Sequence, residues 1–205
     1  MSELLVSIPT KAENMQLPDP FLLNYFQDEA ERTFWIEGEI DEELHEVSKQ
    51  IIRINREDKN IPVDERQPIK LLIDSNGGSA EDTMAFISLM ELSKTPVWTI
   101  NMGWCYSAAG LILMSGHKRF AVPRSKCLIH SGSITGMSGT YEQSTEAMKD
   151  YKNLVEQMKG LVLNKTAIDA KLYKKNSTKD WYIETEEMLK LGIVDEIVND
   201  LDTIL

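Results

Sequence analysis

The sequence predicts an α/β domain built on parallel strands, and three features predict it. Short apolar, β-branched runs alternate with segments whose apolar residues recur at helical spacing. Two of those runs, Ile69–Ile73 and Val97–Ile100, lead toward small-residue stretches that open helices, Asn76-Gly77-Gly78-Ser79 and Ser107-Ala108-Ala109-Gly110. Strand, helix, strand, helix in that order implies parallel pairing through right-handed crossovers.

The bulk properties narrow the possibilities. A chain of 205 residues suffices for one substantial α/β domain. Hydrophobic residues make up 42% and charged residues 27%, as in ordinary globular proteins. A net charge of -11 argues against a nucleic-acid partner, since phosphates would be repelled rather than neutralised. No uncharged apolar run is long enough for a membrane span. The opening residues Met1 to Ile8 lack the basic and apolar regions of a secretory signal. Cys105 and Cys127 form neither a disulfide framework nor a metal spacing, so reduced thiols of a cytoplasmic protein are expected.

The elements follow in chain order. Residues 1–30 form an N-terminal segment, partly flexible: Pro9, Pro18 and Pro20 break it, residues 1–17 read as frayed, and Phe21–Phe26 suits a turn or two of helix. The main domain spans 31–200, with a tail at 201–205. Thr33–Ile36 is the first strand, ended by Gly38. Asp41 caps a helix whose apolar face is Ile40, Leu44, Val47, Ile51, Ile52 and Ile54. A polar loop from Asn55 to Gln67 carries Pro62. Ile69–Ile73 is the second strand, Ala80–Leu92 a helix, Val97–Ile100 the third strand and Ser107–Met114 a helix. Strands at Lys118–Val122 and Cys127–His130 flank a polar bend, and Gly132, Gly136 and Gly139 mark an irregular segment. The helix Tyr141–Leu163 aligns Met148, Tyr151, Val155, Met158 and Val162. It reads equally as a projection toward another subunit or as a surface helix folded back on the sheet. A helix at Ala167–Tyr173, a loop at Asn176–Asp180, a helix from Glu184 stopped by Gly192 and a strand at Ile193–Val198 complete the chain.

Ser107 is the residue to weigh for chemistry. Between a strand and a helix its hydroxyl stands clear of the sheet, beside the free N–H groups of the helix start. Against that, the local pattern is not Gly-x-Ser-x-Gly, and serines in such helices also pack on neighbouring backbone. His130 ends an apolar strand, where it serves either as a base or as a hydrogen-bonded core group. His45, in an acidic helix, and His117, in a bend, read as solvated. Strand alternation turns Cys127 away from His130, which disfavours a Cys–His pair. Cys105 reads as a small buried hydrophobe. Gly77 and Gly78 either bring backbone amides to a ligand or simply supply a turn with positive φ. Taken together, a hydroxyl, an imidazole, late carboxylates and a Gly-Gly turn are the parts that acyl transfer needs.

In this order the segments resemble the proteolytic subunit of the Clp protease, over roughly Thr33 to Val198. Ile73-Asp-Ser-Asn-Gly-Gly-Ser79 is similar to that family's Ile-Asn-Ser-Pro-Gly-Gly-Ser, and Gly103-Trp-Cys-Tyr-Ser-Ala-Ala-Gly110 to its Gly-Gln-Ala-Ala-Ser-Met-Gly-Ala. Lys118-Arg-Phe-Ala-Val-Pro-Arg-Ser125, Leu128-Ile-His130, Lys179-Asp-Trp-Tyr-Ile183 and Thr185–Asp195 match its later motifs. The resemblance implies a serine endopeptidase that cleaves unfolded polypeptides. Ser107 would be nucleophile, His130 base and Asp180 the orienting carboxylate, with the Gly78 and Ala108 amides as oxyanion hole. Peptide would lie as an added strand along Ser79 and Ala80 on one side, Ser131 and Gly132 on the other.

The implied fold is a ClpP/crotonase-like spiral of repeated β-β-α units, with a projecting handle at about 132–164. That handle would join two stacked heptameric rings, a homo-oligomeric tetradecamer served by an AAA+ unfoldase. Neither metal nor cofactor is implied, nor a nucleic-acid or membrane partner.

Departures mark a divergent member. Asn76 replaces a proline, and Ser131-Gly132 replaces Gln-Pro. Trp104-Cys105-Tyr106 replaces Gln-Ala-Ala and is expected to reshape the pocket. The bend between Ser107 and His130 is two residues shorter. Lys70 and Leu72 stand where the family has ATPase-docking tyrosines, and its pore-lining N-terminal segment is barely recognisable. The alternatives are a catalytically silent ring scaffold and an acyl-CoA hydratase or isomerase of the same superfold, which would need glutamates in the cleft. A serine–lysine peptidase acting at membranes is a third.

Overall fold

The computed structural model describes residues 20–133 and 139–204. The expectations for the frayed and pore-lining N-terminus, and for the glycine-rich segment around Gly136, fall on residues 1–19 and 134–138, outside the described residues. Helix α1 (Pro20–Ala30) leads into β1 (Thr33–Ile40), followed by α2 (Leu44–Glu57), β2 (Ile69–Gly78) and α3 (Ala80–Leu92). Then come β3 (Val97–Tyr106), α4 (Ala108–Ser115), β4 (Lys118–Ala121) and β5 (Lys126–Ile129). The chain closes with α5 (Tyr141–Lys165), α6 (Ala170–Asn176), β6 (Trp181–Glu184), α7 (Thr185–Lys190) and β7 (Glu196–Ile197).

Among the described residues, seven strands form one sheet in the order β1-β2-β3-β4-β7, with β5 joined to β3 and β6 to β5. Every pairing is parallel except β5 with β6. β2 and β3 run well past the apolar cores Ile69–Ile73 and Val97–Ile100 that predict them. Ladder hydrogen bonds satisfy backbone whatever the side chain, so polar and glycine residues are carried along. β1 likewise passes through Gly38, which has φ +69 at a register shift instead of ending the strand.

β3 serves two neighbours end to end. Its first half pairs with β4 (Trp98 with Lys118 to Asn101 with Ala121), its second with β5 (Trp104 with Lys126 to Tyr106 with Leu128). Where the neighbours part, the fully buried Asn101 fills the fork. Its Nδ2 donates to the Lys126 carbonyl at 2.9 Å, and its Oδ1 accepts from the Gly103 amide at 3.1 Å. Asp74 Oδ1 accepts from the Trp104 amide at 3.1 Å, supporting the bulged backbone from the other side.

The two faces of the sheet bury different residues, as strand alternation requires. Leu71 and Ile73 of β2 join the main core with α2, α3 and the wholly buried α4. Leu72, Ile100 and Phe120 form a smaller cluster on the other face with Val198 and Ile204. In α2, Leu44, Ile51 and Ile54 are buried, whereas Ile52 is 47% exposed and lies off the expected face. Asp41 Oδ1 does accept from the Glu43 amide, in the turn just ahead of the helix.

The expected loop from Asn55 is instead the last turn of α2 and two short 3-10 turns. Asn55 has long-range partners that explain this. Its Oδ1 takes the Lys94 and Thr95 amides and its Nδ2 donates to Ser93, clamping the α3–β3 turn. Beside it Asp58, 1% exposed, accepts two hydrogen bonds from Arg32 and one from Thr95.

Near the C-terminus, α6 starts later than expected because Asp169 caps it, accepting from the Leu172 amide at 2.7 Å. β6 is an unforeseen strand, and β7 keeps only two of the six residues expected. Arg119 of β4 ties this region down by donating to the Lys165 and Gly192 carbonyls and to Asp195. In α5 the first half is largely exposed, with Tyr141 at 82%, and the second half packs on the core through Met158, Leu161 and Val162.

Asn101→Ala orphans the Lys126 carbonyl and the Gly103 amide, and is expected to cost about 2–3 kcal/mol in urea unfolding. Asp58 supplies a pH signature. Burial pushes its carboxyl up, but hydrogen bonds from Arg32 and Thr95, with the Arg32 and Arg66 charges, outweigh this and hold it below the usual value. A carboxylate depressed in the folded state stabilises fully above the unfolded pKa, about 4, and that stabilisation is lost as pH falls further. Asp58→Asn is therefore expected to destabilise at neutral pH and to flatten the acid limb of a stability–pH curve.

Candidate active site

Ser107 sits at the corner where β3 turns into α4, with φ +53 and ψ -119, a conformation rare for a residue bearing a Cβ. Several contacts hold the corner. The Ser107 amide donates to the Leu128 carbonyl of β5 at 2.9 Å, and its carbonyl accepts from the Leu111 amide within α4. Gly77 packs against it so closely that a Cβ there would lie 2.6 Å from the Tyr106 carbonyl oxygen and 2.9 Å from Ser107 Cβ. That approach, besides its φ of +90, is why position 77 has no side chain. Ser107 itself remains only half-buried, so its hydroxyl is reachable.

His130 is the first residue after β5. The fork of β3 sets β5 beside Tyr106, which brings the imidazole to the corner, and His130 Nε2 lies 2.6 Å from Ser107 Oγ. Gly78 and Ala108 line the same cavity as these two side chains. Ala108 begins α4, so its amide has no partner within the helix and points with the helix's positive end. At Gly78 a Cβ would fall 2.1 Å from the Ile40 carbonyl oxygen, so close strand approach excludes any larger residue.

Asp180 is not joined to this pair: it is exposed and makes no hydrogen bond to His130. The antiparallel β5–β6 ladder ends at Ile129 with Trp181, so His130 and Asp180 both lie one residue beyond it.

The expected peptide edges are partly engaged within the chain. The Ser79 amide donates to the Ile40 carbonyl and its hydroxyl caps α3, while the Ser131 amide donates to the Ser177 carbonyl. Ala80 and Gly132 line the cavity.

The two thiols are inert. Burial pushes Cys127 up to about 12, and Cys105 is raised well above its usual range by burial and by the charges of Cys127 and Asp74. His117, read as solvated, uses its exposed ring to accept the Val97 amide at 3.1 Å, so its role is in the turn before β4. The bulky Trp104 and Tyr106, expected to reshape the pocket, do not line the cavity: Trp104 packs against Tyr106, which meets Tyr182 of β6 edge-on at 5.7 Å between centroids.

The cavity holds 80 Å³ and runs from Ser107 and His130 toward Leu111, Met114, Met158 and Val162. It also contains Tyr151 and Tyr173, which sequence reasoning did not place near the site. The one available signal was a phenol in the otherwise apolar stripe of α5. Burial, with the charge of Glu81 adding to it, pushes the Tyr151 phenol above its usual range. Among the described residues no group of His, Cys, Asp and Glu is arranged to hold a metal, and no helix is long and apolar enough to cross a membrane.

Comparison with known proteins gives the family. The family model described as Clp protease matches residues 25–200. The ATP-dependent Clp protease proteolytic subunit 2 of Treponema denticola is 28% identical over 172 residues, which covers 82% of each chain. Its counterpart in Treponema pallidum is 25% identical over 134 residues, 64% of this chain and 67% of its own. The ATP-dependent Clp protease proteolytic subunit of Deinococcus radiodurans is 28% identical over 135 residues, 65% of this chain and 66% of its own. The family match takes in every strand of the sheet and both partners of the serine–histidine pair, and the chain belongs to the Clp protease family.

Proposed function

We propose that this chain is a serine endopeptidase that cuts unfolded polypeptide by an acyl-enzyme mechanism. The observation that carries the reading is the 2.6 Å contact between His130 Nε2 and Ser107 Oγ at a backbone corner held in an unfavourable conformation. A structural serine has no need of that corner, whereas a nucleophile gains exposure from it. With Nδ1 carrying the ring proton, Nε2 takes the Ser107 proton as Oγ bonds to the scissile carbonyl carbon. The carbonyl oxygen gains the negative charge and is met by the Gly78 and Ala108 amides. Collapse breaks the C–N bond, and the proton held on His130 passes to the leaving amine. Water then repeats the sequence on the ester, releasing the acid and restoring Ser107.

In this reading Asp180, just ahead of β6, completes the machinery by turning its exposed carboxylate onto the imidazole. Peptide lies between Ser79 and Ala80 on one side and Ser131 and Gly132 on the other. The exposed first half of α5 supports a handle joining two heptameric rings, with sites facing an inner chamber. Admission to such a chamber requires an unfoldase. Lys70 and Leu72, in place of docking tyrosines, are both buried, so such a partner would rest on other contacts.

A second reading, the catalytically silent ring scaffold, is favoured by the exposed and unbonded Asp180. A fluorophosphonate probe separates the two. Labelling is expected on wild type at Ser107 and absent from Ser107→Ala, with peptide hydrolysis falling at least about 10³-fold. No labelling of the assembled wild type would establish the scaffold instead. Asp180→Asn is expected to cut kcat about 10²–10⁴-fold with little change in KM, because it disturbs the imidazole and not substrate contacts. An unchanged kcat would remove Asp180 from the mechanism.

A further inference from the structure

The cavity beside Ser107 is walled mainly by apolar groups, with Ser107, His130, Ser133 and the phenols of Tyr151 and Tyr173 as its polar members. Leu111, Met114, Met158 and Val162 supply aliphatic and thioether walls. Tyr151, reaching in from α5, has its hydroxyl oxygen buried with no hydrogen-bond partner among the described residues. An orphaned buried hydroxyl is costly, and its cost is recovered only when something that can hydrogen-bond enters. The opposite wall leaves no space for a side chain beside the hydroxyl. Gly132 faces the phenol, and a Cβ at that position would lie 2.7 Å from the Tyr151 oxygen.

We infer that Tyr151 is a specificity-determining residue, which selects substrates carrying a neutral carboxamide side chain, above all glutamine, on the acyl side of the bond cut at Ser107. The inference rests on the peptidase reading and adds to it the chemistry of the preferred side chain. When a substrate carbonyl is bonded to Ser107 Oγ, the side chain of that residue is the group nearest the cavity. The 80 Å³ available corresponds to roughly two or three water volumes, which suits four or five heavy atoms and excludes an indole or a phenol.

The walls demand an apolar stem and the hydroxyl demands a polar tip. A phenolic hydroxyl both donates and accepts, so it serves either end of a carboxamide. Charge is disfavoured. A carboxylate tip would lose its hydration against aliphatic walls and meet the field of Glu81, whose charge already reaches the phenol. Methionine matches glutamine in length but leaves the hydroxyl orphaned, and so is the informative comparison.

The test uses the full-length chain and a series of fluorogenic peptides identical except for Gln, Met, Leu or Glu on the acyl side of the cleaved bond. Wild type is expected to favour Gln over Met in kcat/KM, with Glu poorest. In Tyr151→Phe the Gln:Met ratio is expected to fall about three- to tenfold, the worth of one hydrogen bond. Because no bond is lost within the protein, the variant is expected to melt at or above the wild-type temperature. An unchanged Gln:Met ratio with Ser107-dependent cleavage intact would overturn the inference alone. A melting temperature several degrees lower would also overturn it, by giving the hydroxyl a structural role. Absence of Ser107-dependent cleavage of every peptide, with a stable protein, would overturn the peptidase reading and this inference with it.

Discussion

The division of β3 between two partners is the constraint on which the site depends. A ten-residue strand can offer one edge to β4 and then to β5 only if the backbone at the junction is satisfied, and Asn101 does this with a single side chain. Its amide donates to the arriving strand β5 and its carbonyl accepts from the bulging strand β3. The result is that β5 ends level with the end of β3. A histidine one residue beyond β5 then meets a serine one residue beyond β3. Had β5 continued the edge begun by β4, the two side chains would be at different heights on the sheet.

The corner at Ser107 is a local cost borne by its surroundings. A residue with a Cβ at positive φ is disfavoured by about 1–3 kcal/mol, and it persists only where neighbours leave no alternative. Here the neighbours are the Leu128 carbonyl, the start of a fully buried helix and the bare backbone of Gly77. Gly77 and Gly78 have different reasons for lacking side chains: one abuts the corner and the other abuts β1. The turn reading and the ligand-approach reading of the Gly-Gly pair are thus compatible, because the same tight backbone that needs glycine also brings it to the cavity.

Asp180, the proposed orienting carboxylate, is held more loosely than the serine–histidine pair. Ser107 and His130 are tied through β3 and β5 to the centre of the sheet, whereas Asp180 lies just ahead of the four-residue edge strand β6. The β5–β6 ladder stops one residue short of it, and no hydrogen bond fixes its side chain. Of the aromatic residues that depart from the family pattern, Trp104 packs against Tyr106, which meets Tyr182 of β6. Their contacts are therefore with each other and with β6, and not with the lining of the cavity.

The sequence by itself determined the order and type of most elements, because apolar periodicity and capping residues act locally. The Gly77-Gly78-Ser79 stretch before α3 and the small residues of α4 are such signals, and the latter marked out Ser107, whereas the cap at Asp169 went unread and α6 starts later than expected. It left strand ends short, since backbone pairing extends β2 and β3 through residues with no strand preference. It missed β6, whose partner lies more than fifty residues away in the chain. Only the tertiary structure decided which groups meet: that Asn55 and Asp58 reach the α3–β3 turn, that Trp104 and Tyr106 face away from the cavity, and that Tyr151 faces into it. Those outcomes depend on how helices and strands pack across long separations, and composition and periodicity along one segment carry no record of what lies across from it.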